Sequence, residues 1–503
     1  MSNRIRRFIT FALLALLLGS LAPGSAVALT PATGDPAATL YQTSRIVRID
    51  LNTSSELNTI GVTGYVDATF KLTMGSAVYG GTSGFGAWDI KMRLKGVGSY
   101  RSLPQKAALR LEFPNELQRA FGIKRMTLNN MIQDPSKVNE AIGYTLFRAM
   151  GIAAPRTGYA EVWINGASYG LYLNVESIDK VALEKRSSGG GTTHLYEGRL
   201  GSEGDPLNAN DAHYQVDVGS TINRADLEEL IAASQASAPT WYARVSAAAD
   251  LQQMTRYWAV DRYIGNWDGY AGASISNYYL HSDNDGRFQM LPWGVDQIFG
   301  GGVEKRAPYS FGQPIGGLLF TQCLVVSTCR ALYVQALRDV RDKASTLSLA
   351  SVAATLHATL ESKIASDTKD ETSPSASKAA QVAASGFILA RPSKVNLWLA
   401  QLTRVTAPSI SGTTAVGQVL SATSGTWSYG PTPTYSYQWF RCSTATQSAS
   451  TTLPARCTII TGATKSLYTL KAADRSSYLR VRVTAAIPTS SLLWFSKPTV
   501  KVP

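Results

Sequence analysis

A β-hairpin predicted near residues 277–292 constrains this chain more than any other segment. Two strand-like runs flank the sequence Asp283-Asn-Asp-Gly286, and these residue types tolerate the positive φ angles of a tight turn. Because an antiparallel hairpin returns the chain to its starting end, we expect Asn277 and Asp296 to lie there together, with Asp268 within reach. Two carboxylates and an amide beside several glycines indicate a metal and phosphate site rather than part of a hydrophobic core.

The first residues of the 503-residue chain have the pattern of a secretory signal peptide. Three arginines precede an apolar run at 8–18, and Ala26-Val-Ala28 supplies the small residues of a cleavage site. The apolar run is too short to span a bilayer. We therefore expect residues 1–28 to be removed and the mature chain to be secreted or held at the cell surface, without an integral membrane segment. The remaining length exceeds one ordinary core, so two or more domains are expected.

The four cysteines fit an exported protein, because an even number in an oxidising compartment usually forms disulfides. Cys323 lies close to Cys329 in the sequence, and Cys442 lies close to Cys457. Pairing within each couple is the simplest of the three connectivities. A metal site is less favoured, since neither couple has the Cys-x-x-Cys spacing and no histidine is nearby.

The formal net charge of +13 is unevenly distributed along the chain. Without the three arginines of the predicted signal peptide it is +10. From Pro408 onward, nine Lys or Arg residues accompany one acid, Asp474, which gives this part of the chain a charge of +8. Such a basic segment predicts an anionic partner such as a wall polymer or lipid headgroups, and a basic surface that is merely solvated is the alternative. We expect no nucleic-acid partner, because no recognition motif is present.

Residues 45–402 are predicted to form one domain, after a linker at 29–44. Strand patterns come first, one amphipathic helix is embedded among them, and a largely helical half follows, which together indicate the α+β class. The pair Asn165-Gly166 suits a two-residue hairpin turn. The predicted elements are strands at 45–51 and within 64–113, a helix at 136–150, a hairpin at 159–175, and helices over 224–265 and 330–402.

The composition changes at Pro408 to Ser, Thr, Gly and short alternating strands. Residues 408–503 resemble an immunoglobulin-like β-sandwich, with Trp439 as the expected core tryptophan and Tyr478 placed like a tyrosine corner. The cysteines are not at the usual positions that join the two sheets, so their bond is expected to close a loop. Such a module does not identify the chemistry of the protein.

Several sequence motifs follow one another between residues 90 and 300. They are Arg93-Leu-Lys-Gly-Val-Gly-Ser99, Pro104-Gln-Lys106, Gln133-Asp-Pro-Ser136, the segment 163–172 with Glu176, Leu195-Tyr-Glu-Gly198, the segment 261–268 and the segment 277–296. In this order they resemble the CotH family of spore-coat kinase-like proteins, in a secreted bacterial form. The resemblance implies an atypical protein-kinase-like domain that uses ATP with Mg²⁺ or Mn²⁺.

The same resemblance implies roles for individual residues. Asp268 matches the catalytic aspartate of the family and would act as the base toward the acceptor hydroxyl. Asp296 is the candidate metal ligand, with Asn277 as a second one by analogy with ordinary kinases. Lys106 would contact the phosphates, and charge logic predicts that Glu176 holds it as an ion pair.

Arg93 and Lys95 belong to a basic glycine-serine loop of the family, and we expect both residues to contribute to nucleotide binding. A glycine pattern alone is more often an ordinary loop than a phosphate cradle. Lys106 alternates with Ala108 and Arg110, a pattern that a solvated strand face would explain. Glu176 could simply terminate a strand.

Two other kinds of site are not supported by the sequence. Asp283 and Asp285 resemble part of a calcium loop, but His281 and Pro292 occupy positions where an EF-hand needs carboxylates. Nucleophilic hydrolysis is disfavoured because no Gly-x-Ser-x-Gly elbow is predicted: the stretch Gly166-Ala-Ser-Tyr-Gly170 lies in the predicted hairpin and not at a strand-to-helix turn. The four histidines lack the spacing of metal ligands.

The chain departs from the family at one position that bears on catalysis. The common family form is Pro-Trp-Asp-x-Asp, whereas this chain has Pro292-Trp-Gly294-Val-Asp296. Two hypotheses follow. The first is an exported kinase that transfers the γ-phosphoryl of ATP to Ser or Thr of secreted or envelope proteins. The second is a noncatalytic cell-surface binding or adhesion protein that keeps the kinase-like scaffold. Gly294 and the basic C-terminal module favour the second hypothesis, whereas Asp268, Lys106 and Asp296 favour the first.

Overall fold

The computed structural model describes most of the chain after its N-terminal segment. The predicted signal peptide at 1–28 and the first part of the predicted linker lie outside the described residues. Part of that linker packs onto the domain, because Ala37 and Leu40 are buried against it and Asp35 pairs with Arg156 at 2.6 Å. The described ranges are 35–84, 86–186, 191–198, 214–300, 311–400, 404–427, 433–445, 448–487 and 490–503.

The first sheet has eight strands, seven of which close into a barrel. They are β1 (Ile46–Asn52), β2 (Val66–Met74), β3 (Ala77–Gly81), β4 (Trp88–Lys95), β5 (Ala108–Glu112), β6 (Arg125–Asn129), β7 (Thr157–Ile164) and β8 (Ala167–Glu176). The pairing order is β1-β7-β8-β6-β5-β4-β2, and β2 pairs again with β1, while β3 extends one edge of β2. Alternation along the strands fills the interior, as Met92 and Leu94 of β4 illustrate, and it directs Arg93 and Lys95 outward.

A second half, mainly helical, packs beside the barrel around a separate core. Its small sheet has the order β10-β9-β11-β12, with β9 (His194–Gly198), β10 (Tyr214–Val218), β11 (Tyr278–Ser282) and β12 (Phe288–Pro292). The helices are α1 (Leu103–Lys106) and α2 (Asn139–Ala149), then α3 (Lys180–Arg186), α4 (Ala225–Ser234), α5 (Ala238–Ala248), α6 (Leu251–Ile264), α7 (Leu318–Val325), α8 (Ser327–Thr346), α9 (Leu349–Ser366) and α10 (Pro374–Ala400). This mixed content confirms the α+β class.

Both predicted hairpins are confirmed. In β7–β8 the turn residues Asn165 and Gly166 have φ of 49° and 78°, as a type I′ turn requires. In β11–β12 Tyr278 lies opposite Pro292, and the Asp283 side chain accepts hydrogen bonds from backbone N–H groups within the turn. The hairpin therefore brings residues 277 and 293 to one end, as the turn sequence predicted.

The helix ends near the site follow from local chemistry. The Asp250 side chain accepts a hydrogen bond of 3.0 Å from the backbone of Gln253 and so caps α6. Gly265, with φ of 72°, ends the same helix in the left-handed conformation that glycine adopts at little cost. Gly151 follows α2 with φ of 76°, as predicted.

Both predicted disulfides are confirmed. Cys323 is bonded to Cys329, which ties α7 to α8, and Cys442 is bonded to Cys457. No single helix in the described part of the chain is both long and apolar enough to cross a membrane; α7 and α8 meet such a test only as a pair, bent by 104°.

The C-terminal part of the chain is built of β-strands around its own small core. Trp439 is fully buried in that core, as expected, and Cys442 lies directly opposite Cys457 on paired strands of one sheet, so their bond does not join two sheets. The immunoglobulin-like sandwich stays a prediction. The strands are β13 (Arg404–Thr406), β14 (Ile410–Ser411), β15 (Val419–Ala422), β16 (Thr426–Trp427), β17 (Thr434–Cys442), β18 (Cys457–Ile459), β19 (Leu467–Thr469), β20 (Tyr478–Ile487) and β21 (Ser490–Phe495).

Candidate active site

Asp268 lies in the loop after α6, at the end of the β11–β12 hairpin. Its backbone oxygen accepts a hydrogen bond of 2.9 Å from the N–H of Asn277, which ties the loop to the start of the hairpin. Its Oδ2 accepts a second bond of 2.7 Å from Nδ2 of Asn277. Its Oδ1 is buried and has no hydrogen-bond partner among the described residues. The structure thus brings Asp268 and Asn277 together and leaves one carboxylate oxygen available.

Asp296 reaches the same end of the hairpin from the segment after β12. The turn that leads to it passes through Gly294, which has φ of 56° and donates its N–H to the hydroxyl of Tyr144 at 3.0 Å. A Cβ atom added at Gly294 would lie 3.1 Å from the side chain of Asn277. The position where the family commonly has its first aspartate therefore faces Asn277.

Glu140, in the first turn of α2, is a residue of this site that the sequence reasoning missed. It is only 2% exposed, and its Oε2 accepts a hydrogen bond of 2.7 Å from Nδ2 of Asn129. Burial, and then the charge of Asp296, raise the pKa of Glu140 to about 8. A signal was present, since Glu140 is the only acid between Val138 and Met150 in an otherwise largely apolar helix.

Lys95 at the end of β4 supplies the positive charge of the site. Its Nζ lies 5.6 Å from the ring centroid of Trp293, just beyond the hairpin. Burial lowers the pKa of Lys95, while the charges of Glu140 and Asp296 act in the opposite direction. No carboxylate of the described residues forms an ion pair with it within 4 Å, so its ammonium is available to a ligand.

The buried acids of this cleft repel one another. Burial, and then the charge of Asp296, raise the pKa of Asp268 to about 8. Burial, and then the charge of Asp134, raise the pKa of Asp296 to about 7. Burial likewise raises the pKa of Asp134. Lys95 alone does not balance these charges, and a bound cation would relieve the repulsion.

The predicted ion pair between Lys106 and Glu176 is wrong. Lys106 does not lie on a solvated strand face either, because it ends α1 with φ of 101° and is fully buried. Its Nζ lies 2.6 Å from Oδ2 of Asp367. Glu176 instead pairs with Arg156 at 2.6 Å and with Arg186. Lys106 and Glu176 each have other counter-charges close by. The prediction, made from charge alone, therefore paired the wrong residues.

Arg93 lies on the outer side of the barrel with Lys95 but makes structural contacts. Its Nη1 donates to the backbone oxygen of Val62 at 2.7 Å, and its guanidinium lies 5.4 Å from the ring centroid of Tyr65. The structure therefore brings four of the predicted site residues together, namely Lys95, Asp268, Asn277 and Asp296. Arg93, Lys106 and Glu176 bond to other groups.

A divalent cation fits this chemistry only with help from a ligand. No group of three or more His, Cys, Asp or Glu side chains in the described ranges is arranged to hold a metal ion by itself. Mg²⁺ in phosphoryl-transfer sites is commonly bound by one or two carboxylates together with substrate phosphates. Asp296 and the side-chain oxygen of Asn277 are the groups at this end of the hairpin that suit such a site, and the free Oδ1 of Asp268 lies beside Asn277.

Comparison with known proteins agrees with the motifs. The family profile described as CotH kinase protein matches residues 92–392, more than half of the chain. The chain belongs to the CotH kinase protein family. The match begins just before Lys95 and extends through α2, the hairpin and most of α10, so every residue of the cleft described above lies within the CotH region.

The chain is also similar to inner spore coat protein H of Bacillus subtilis (strain 168). The two sequences are 24% identical over 205 residues, which cover 36% of this chain and 51% of that CotH protein. The chain thus spans about half the length of this curated relative.

Proposed function

We propose that this protein is an ATP-dependent protein kinase of the CotH type. The observation that carries the proposal is the cleft in which the ammonium of Lys95, which has no ion-pair partner among the described residues, is influenced by the buried acids Glu140 and Asp296. Asp268 is influenced by Asp296 in turn, and all three acids have raised pKa values. Phosphoryl transfer needs few protein groups: a cation on the phosphates, metal ligands, and a carboxylate that orients the acceptor hydroxyl. The cleft contains a candidate for each.

Each residue would have a distinct part in the reaction. Lys95 would contact the phosphates, and Glu140 on α2 would orient its ammonium. These two residues replace Lys106 and Glu176, the pair that the sequence predicted for this role. Asp296 and Asn277 would hold Mg²⁺ or Mn²⁺, which would neutralise charge on the phosphates when bound. Asp268 would accept the hydroxyl proton through its free Oδ1, and a pKa near working pH suits a group that takes up a proton.

The acceptor is proposed to be Ser or Thr of a secreted or envelope protein. This part rests on the predicted signal peptide and on the two disulfides, which favour an oxidising compartment. We also propose that the C-terminal β module has an immunoglobulin-like architecture and tethers or orients the kinase.

The surface charge of the module supports a tethering role. Its only acid, Asp474, is fully buried, where it accepts hydrogen bonds from Arg441 at 2.6 Å and from the Tyr468 hydroxyl at 2.9 Å. Lys471 and Arg475 flank it and are exposed. No acidic side chain is left at the surface of the module to oppose them, which favours an anionic polymer as partner. Co-sedimentation with wall polymer that weakens as salt rises would be expected.

A second candidate function is a noncatalytic binding scaffold of the cell surface. Gly294 favours it, because no carboxylate stands at the position where the family commonly has one. The two candidates differ in whether the cleft binds nucleotide and transfers phosphate.

The deciding experiment measures binding of ATP with Mg²⁺ or Mn²⁺ to the purified chain, followed by transfer of labelled γ-phosphate to a Ser- and Thr-rich protein. Asp268→Asn is expected to reduce transfer by roughly 10²-fold or more and to retain nucleotide. Lys95→Ala is expected to weaken nucleotide binding, whereas Lys91→Ala is not; Lys91 lies on the same face of β4 but pairs with Asp67 at 2.5 Å. Absence of nucleotide binding would sink the kinase proposal, and full transfer by Asp268→Asn would show that another residue is the base.

A further inference from the structure

The turn between α9 and α10, residues 367–371, contacts the opposite half of the molecule through buried charges. Asp367 is at its first position, and its Oδ2 accepts hydrogen bonds from Nζ of Lys106 at 2.6 Å and from the N–H of Leu171 at 2.8 Å. Gly170 must lack a side chain for this contact, since its φ is 87° and an added Cβ would lie 2.1 Å from the carboxylate. We call residues 367–371 the acidic turn.

Asp370 extends the same cluster to the segment that leads into α2. Its carboxylate lies 2.9 Å from Nζ of Lys137 and 3.6 Å from Nζ of Lys106. Burial alone would raise the pKa of Asp370, but the charges of Lys106 and Lys137 outweigh it and the pKa is lowered. Lys137 precedes Glu140 by three residues. Two buried cations and two buried carboxylates are thus paired in one place.

The exposed side of the acidic turn contacts the chain just after the glycine-serine loop, at Arg101 and in α1. Nη2 of Arg101 donates to Oε2 of Glu371 at 2.7 Å, and Nζ of Lys369 donates to the backbone oxygen of Pro104 at 2.6 Å. The loop of residues 96–102 begins directly after Lys95. The acidic turn therefore holds the C-terminal end of this loop, and Lys95, the cation of the cleft, lies directly before its N-terminal end.

We propose that the acidic turn is a positioning element of the nucleotide site. It fixes the end of loop 96–102 through Glu371, α1 through Lys369, and the approach to α2 through Asp370. Contacts from the C-terminal half thereby hold Lys95 and Glu140 in position relative to each other. None of its side chains would touch the nucleotide. The expected effect on nucleotide affinity rests on the proposed function. The expected effect of the acidic turn on the order of the loop does not.

The Arg101–Glu371 pair allows a test that leaves the fold intact. The side chains are 27% and 48% exposed, and an ion pair of this kind contributes little to stability. Glu371→Arg is expected to accelerate amide hydrogen exchange in residues 96–102 and to weaken ATP binding about threefold to tenfold. The charge-swapped double variant, Arg101→Glu with Glu371→Arg, is expected to recover both.

The matched control is the Lys363–Glu161 pair, which also joins α9 to the barrel but lies away from the loop. Its atoms are 2.8 Å apart and its side chains are 37% and 22% exposed. The single reversal Glu161→Arg, which breaks this pair as Glu371→Arg breaks the other, is expected to leave the loop exchange and ATP affinity unchanged. Unchanged exchange in Glu371→Arg, or an equal effect of Glu161→Arg, would overturn the proposal. Faster loop exchange in a chain that never binds ATP would support the positioning role and reject the kinase function instead.

Discussion

At the scale of single residues, Gly294 decides more about this site than any other position. Its φ of 56° lies in the left-handed region, which among side-chain-bearing residues Asp and Asn tolerate best. A carboxylate there would extend from a Cβ that lies 3.1 Å from Asn277. An aspartate at this position would therefore lie beside Asn277, which would have to shift slightly to accommodate it.

We predict that Gly294→Asp strengthens Mn²⁺ binding roughly tenfold, because one carboxylate is added to the ligand set, and raises phosphate transfer if the chain is a kinase. The left-handed φ should cost roughly 1 kcal/mol in the free energy of unfolding. Calorimetric titration with Mn²⁺ and thermal unfolding measure the two effects. Gly294→Asn has the same shape without the charge and should show the stability cost alone, so equal metal affinities in the two variants would refute the prediction.

At the scale of elements, the loop after α6 is organised around one buried carboxylate. Asp261 is fully buried, and it accepts hydrogen bonds from Nδ2 of Asn266 at 2.8 Å and from the N–H of Ala271 at 3.1 Å. Burial raises the pKa of Asp261 to about 7. The chain between these two bonds contains Asp268, so Asp261 is a positioning residue for the proposed base.

Gly269 lies against this carboxylate and offers a direct test of the loop. A Cβ added there would lie 2.4 Å from Asp261 and from Asn266, so Gly269→Ala must displace one of them. We predict a fall in kcat of about tenfold to a hundredfold, since small misplacements of a reacting group have effects of this size, with KM for ATP nearly unchanged. Steady-state kinetics provide the measurement. Gly386→Ala on α10, where an added Cβ meets no atom within 4 Å, should keep full activity.

Whether an element could be predicted from the sequence depends on how far apart its contacting residues lie along the chain. The two hairpins and the end of α2 follow from turn residues and apolar spacing, which act over a few neighbours. The closure of β2 onto β1 and the partners of Lys106 and Glu176 depend on contacts between distant segments. Lys106 bonds to a residue 261 positions away, and such a partner cannot be read from a local charge pattern. Glu140 had a local signal, as the one acid in a largely apolar helix, but its role in the site depends on the packing of α2 against the hairpin end.

At the scale of the whole molecule, the buried acids of the cleft make the stability of the fold depend on pH. The pKa values of Glu140 and Asp268 rise to about 8 and that of Asp296 to about 7, from ordinary values of 4.5 for Glu and 3.8 for Asp. At pH values between the ordinary and the raised pKa of each acid, the folded protein retains a proton that the unfolded chain has released. The free energy of unfolding therefore falls as pH rises through this range. Glu176 and Asp370, whose pKa values are lowered, contribute in the opposite sense at acidic pH, where their unfolded forms take up protons. Burial lowers the pKa values of His281 and His357, which also act in the opposite sense below their ordinary value of 6.5; the three cleft acids outnumber them.

We therefore predict that the Tm of the metal-free chain falls from pH 5 to pH 8, and that saturating Mn²⁺ restores it at the upper end of this range because the cation replaces the lost protons. Differential scanning calorimetry across the range measures both effects. Asp268→Asn and Asp296→Asn should flatten the dependence, since an amide does not titrate. Asp89→Asn, which removes an exposed carboxylate on β4, should leave the slope as in the wild type. An unchanged slope in the two cleft variants would mean that these acids are not the source of the pH dependence, and the need of the cleft for a cation would lose its physical basis.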